Sequence, residues 1–137
     1  MTNEKVPEQF DWVHARSECS LPHVFKELEQ GVRTDIEAAE ALMPERYPLH
    51  FSVAQVNSSR FSAVRVDDPM AGLSRSINFV RTKDSIEVHD DRDQVLHSAS
   101  LGLNNEGKCR LFVNDKELTQ WQFRKMALEK LFFGPHE

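Results

Sequence analysis

LHFSVAQVNSSRFSAVRVDDPMAGLSRSINFV, residues 49–80, contains three runs in which apolar and polar side chains alternate. Leu49, Phe51 and Val53 alternate with His50, Ser52 and Ala54. After the turn-forming Asn57-Ser58-Ser59, residues 60–66 (RFSAVRV) keep the same beat, Asp67-Asp68-Pro69 breaks it, and Leu73 to Val80 resumes it. A period of two puts successive side chains on opposite faces of a half-buried strand. Three further runs follow at 85–89 (SIEVH), 94–103 and 108–113, separated by Lys83-Asp84, Asp90 to Asp93 and Asn104 to Gly107. Asp, Asn and Gly in such gaps form tight turns. Connections this short join only antiparallel neighbours, because a parallel crossover takes roughly a dozen residues or more. The expectation is a six-stranded antiparallel meander.

On the N-terminal side the period changes. Leu21, Val24, Phe25, Leu28, Val32, Ile36, Ala39 and Met43 recur at spacings of three and four, the stripe of an amphipathic helix. Ser20 suits the N-cap, Pro22 falls in the first turn, and Pro44 and Pro48 stop the run, so a helix is expected over about 21–43. Gly31 inside it costs roughly 1 kcal/mol relative to Ala and marks a close approach to another element. On the C-terminal side Thr119 and Gln122 form a capping box, and Trp121, Met126, Leu128, Leu131, Phe132 and Phe133 load the following helix before Gly134-Pro135. The fold class is α+β, a two-layer sandwich of order α-β6-α with both helices on one face of the sheet. Residues 20–133 form the single domain, 1–19 an N-terminal arm in which Phe10 and Trp12 serve as packing anchors, and 134–137 a tail.

The 137 residues match the common size of one domain, with a net charge of −5 and Lys and Arg outnumbered by Asp and Glu. That balance disfavours a nucleic-acid binder, which needs a basic footprint. Charge is uneven: residues 1–48 carry −5, residues 49–83 carry +3 and residues 84–137 carry −3. No run approaches the roughly 18 apolar residues of a membrane span. With no secretory apolar segment, the cytoplasm is the expected location. Cys19 and Cys109 lie in no metal or redox spacing and are expected as two separate thiols.

Three candidate sites stand out. Arg65, Arg75 and Arg81 lie in the basic block, and their guanidinium forks could together hold a small anion; the plainer alternative is solubilising arginines at sheet rims. His89, Asp91, Asp93 and His97 bracket a hairpin and could hold a divalent cation, against an acidic solvated turn as the alternative. Third, the helix over 21–43 spans roughly 34 Å, long enough to pack on a second copy as well as on its own sheet. No G-x-S-x-G, H-E-x-x-H, glycine-rich phosphate loop or Cys/His signature is present, so no residue takes a catalytic role and no cofactor is expected. The sequence therefore suggests a non-enzymatic protein-binding or adaptor domain, with a homodimer as one form of that binding, anion binding second and metal binding third.

Overall fold

Ser20 opens the long helix as its spacing requires: its Oγ accepts from the His23 amide at 3.4 Å, satisfying one of the helix's free N–H groups. The computed structural model describes residues 9–42, 50–68 and 73–134. Met43 at the end of the expected stripe, the expected stops at Pro44 and Pro48, the start at Leu49, and the breakers Pro69 and Pro135 lie outside the described residues. A short helix, α1 (Trp12–Glu18), precedes the long α2 (Leu21–Leu42). Then come β1 (His50–Asn57), β2 (Arg60–Asp68), β3 (Leu73–Arg81), β4 (Ile86–His89), β5 (Val95–Leu103), β6 (Cys109–Val113), β7 (Lys116–Leu118) and the closing α3 (Gln120–Phe133). The strands form one antiparallel sheet in sequence order.

The seventh strand was not expected. Asn114 and Asp115 both adopt positive φ, at 50° and 66°, and make a two-residue hairpin turn that folds Lys116–Leu118 back onto β6. Asn and Asp tolerate that conformation, which matches the sheet's twist. Three residues are too few to display an alternation.

Registers confirm the faces that alternation assigns. Phe61 pairs with Phe79, Ala63 with Ile77 and Arg65 with Arg75 on the side covered by α2 and α3. On that side Phe25 of α2 lies 5.1 Å from Phe61, which stacks at 4.8 Å on Phe79, and Phe79 in turn meets Phe123 of α3. This row of rings joins both helices to β2 and β3, each ring contributing roughly 1.5–3 kcal/mol by its burial. The Thr119–Gln122 capping box forms as expected.

Gly31 marks the approach of α3 to α2. A Cβ there would lie 2.6 Å from Nη1 of Arg124, whose Nε donates to Asp35 at 2.7 Å. A methyl group would push the guanidinium off Asp35.

Two expectations fail near the N-terminus. Trp12 is 63% exposed, so its ring is not the buried packing anchor expected. Cys19 and Cys109 are not separate thiols but form a disulfide, with Cα atoms 5.4 Å apart. Ninety positions separate them, yet the β5–β6 hairpin brings Cys109 to the junction of α1 and α2. No spacing rule anticipates a contact set by tertiary folding.

Candidate functional site

The three arginines do not share one site. Arg65 and Arg75 sit opposite each other on β2 and β3, a like-charge pairing that would repel. Asp67 resolves it: its two carboxylate oxygens accept from Arg65 Nε at 2.6 Å and face Arg75 Nε at 3.3 Å. The anion held here is the chain's own. Arg65 is fully buried, not at a rim, and its Nη1 also donates to the Leu131 and Gly134 carbonyls at the end of α3. A guanidinium there serves the free carbonyls and the negative end of the helix dipole. Arg81 lies at the far end of β3, beside the first turns of α2.

The hairpin quartet is also divided. His89 and Asp93 meet on the helix-free face, where His89 Nδ1 lies 2.9 Å from Asp93 and Nε2 lies 2.9 Å from Glu87. Arg60 donates to the same Asp93 oxygen at 2.9 Å. Asp91 is exposed in the turn, and His97 points to the opposite face, across from Val88. Among the described residues no group of three or more such side chains has metal-binding geometry. Burial alone would lower the His89 pKa, but the hydrogen bonds and charges of Asp93 and Glu87 outweigh it and raise the value above 6.5. Asp93 is shifted the other way, below 3.8, first by its hydrogen bond with His89 and then by Arg60.

This cluster ties the 90–94 turn to the sheet, with a defined pH dependence. The folded state holds the His89 proton more tightly than an unfolded chain does. Its contribution is therefore complete below pH 6.5 and is lost as pH rises through the raised value. Asp93 contributes fully above pH 3.8, losing its effect as pH falls through its lowered value. The turn is firmest between those limits. Amide exchange at Asp93 and Gln94, whose N–H groups bond to Asp90, should speed up between pH 5.5 and pH 8 after correction for intrinsic rates. A His89→Gln variant should show no such change; equal behaviour of the two proteins would show that His89 does not govern the turn.

An open apolar surface lies on α3. Trp121 is 57% exposed and Phe133 61%, and Leu42 at the end of α2 is 71% exposed. Between α2 and α3 runs a groove of about 380 Å³ floored by Ala38, Ala39, Leu128 and Phe132. On the other side of α3 a second groove of about 720 Å³ is floored by Ile77, Leu118 and Met126, with His97 in its wall. Burial pushes the His97 pKa down, so the ring is neutral near pH 7. Trp121 borders both grooves. The rim of the larger one carries Lys116, Lys125 and Lys130 against one carboxylate, Glu129, which Lys125 engages at 3.1 Å. Sequence reasoning listed Trp121 and Phe133 only as core. The missed signal is that Trp121 and Phe133 add apolar area beyond the face that Phe123, Ala127, Leu128, Leu131 and Phe132 bury.

No protein-family model matches the chain, and no similarity to a curated protein or a solved structure is found. Among the described residues no helix is long and apolar enough to cross a membrane.

Proposed function

We propose that this chain is a non-enzymatic protein-binding domain that captures an acidic amphipathic segment on the outer surface of α3. The observation that carries this reading is the exposure of Trp121 and Phe133 beside two grooves with apolar floors, on a helix whose outer side also carries lysines. Rings of this size supply large contact area at low entropic cost, which is why aromatic residues dominate binding hot spots. The lysines choose the partner. Each exposed ion pair is worth only about 0.2–1 kcal/mol, so Lys116, Lys125 and Lys130 favour acidic over basic partners while affinity comes from the grooves. Within a chain of net charge −5 this rim is a local reversal of sign.

A designed helical peptide with leucines on one face and glutamates on the other tests the reading. It should shift the Trp121 indole N–H resonance saturably, while the same peptide with lysines in place of glutamates should not. Lys116→Glu, Lys125→Glu and Lys130→Glu combined should abolish the response. No saturable shift up to about 1 mM peptide, equivalent to roughly 4 kcal/mol of binding, or equal binding of both peptides, would reject it. Self-association is the rival occupant. It predicts a dimer in sedimentation that Trp121→Ser converts to a monomer, and that result would replace the peptide partner with a second copy. The cytoplasmic location belongs to the same proposal and requires Cys19 and Cys109 to be reduced in the cell, since bridges persist in oxidising compartments.

A further inference from the structure

At the end of the sheet remote from Arg65, the β1–β2 turn and the end of β3 face the first half of α2. Between them is a cleft of about 540 Å³, within the range of small-molecule sites. Three cations converge on it from different elements: Lys26 and Arg33 from α2, and Arg81 from β3. Among the described residues the only carboxylate in its lining, Glu29, is occupied by Arg33 Nη2 at 2.9 Å. Three positive charges and one negative leave an excess of two. Gln30, Gln55 and Ser58 add neutral hydrogen-bonding groups.

Arg81 supplies a second and independent sign. Its Nε is buried and has no hydrogen-bond partner, although its backbone N–H bonds to Ser59. An unmade bond from a buried donor costs roughly 1–3 kcal/mol, more when the donor is charged; Arg81 also lines the cleft, and a small turn of its side chain would bring Nε to an anion held there. In the adjoining cleft on the other side of Arg81, the one carboxylate among the described residues is Asp84, which accepts from Thr82 Oγ1 in its own turn.

We propose that this cleft binds a small polyanion of the phosphate or pyrophosphate class, with Arg81 as its principal donor and Lys26 and Arg33 completing the charge. The guanidinium fork suits two oxygens of one tetrahedral group, and Lys26 adds a point charge. This site shares no residue with the surface of α3, so either proposal can fail without the other.

Calorimetric titration of the full chain with inorganic pyrophosphate is the test, with sodium chloride matched in ionic strength as the blank. Wild type should bind saturably at one site. Arg81→Gln should weaken binding by roughly tenfold or more, the loss expected for a hydrogen bond to a charged group. Lys26→Gln should weaken it less, and Arg92→Gln, exposed in the β4–β5 turn, should bind as wild type does. No saturable heat from wild type would overturn the proposal. So would equal affinity in Arg81→Gln, or an equal loss in Arg92→Gln, which would indicate general screening of charge.

Discussion

Replacing Arg65 with Met is expected to lower folding stability by about 3–5 kcal/mol, the cost of leaving one member of a buried ion pair uncompensated. Asp67 is only 4% exposed, so after the substitution its carboxylate would keep a single cation, Arg75, and the carbonyls of Leu131 and Gly134 would lose their donor. Domains of this size are stable by only about 5–15 kcal/mol, so the change would be visible in any urea titration. Arg75→Met separates charge from location. Arg75 is 35% exposed and touches Asp67 more loosely, and its loss should cost no more than about 1 kcal/mol. Equal effects of the two substitutions would show that burial does not distinguish the arginines, contrary to the structure.

The Cys19–Cys109 bridge should be worth at least as much. It closes a loop of 90 positions, for which the chain-entropy view gives roughly 4–5 kcal/mol. Cys19→Ser combined with Cys109→Ser should lower the urea midpoint sharply. It should also raise the slope, because an unfolded chain without the bridge exposes more surface. An unchanged midpoint would mean that the bridge constrains nothing. Alkylation of the protein in freshly lysed cells gives the companion result: two free thiols agree with a cytoplasmic chain, and an intact bridge contradicts it.

The contrast between these two features shows what a linear sequence can convey. The face of Arg65 was legible, because alternation with Phe61 and Ala63 places it on their side of the sheet. Its depth was not, because depth depends on α3 ending above it, a relation between positions 65 and 134 that no local pattern records. Helix α2 was legible almost to the residue, since its stripe, Ser20 and Pro22 all agree. Strand β7 was hidden because Lys116–Leu118 is shorter than two full alternations. The metal quartet illustrates the same limit. His89 and Asp93 are close in sequence and meet, whereas His97 is as near along the chain yet faces the other way, after the bulge between Val88 and His89. One extra residue reverses every later side chain. The surface of α3 was the least legible feature, since a Trp in an apolar helix reads as core until the neighbouring elements are placed.

The role of α3 can be measured without knowing a partner, by selecting random helical peptides displayed on phage against the wild type and against a Trp121→Ser, Phe133→Ser variant. Selection on the wild type should enrich sequences that carry apolar residues at spacings of three and four with Asp or Glu beside them, and selection on the variant should lose them. Enrichment of basic or uncharged peptides, or the same acidic peptides bound equally by both proteins, would contradict the assignment of α3 as the binding surface.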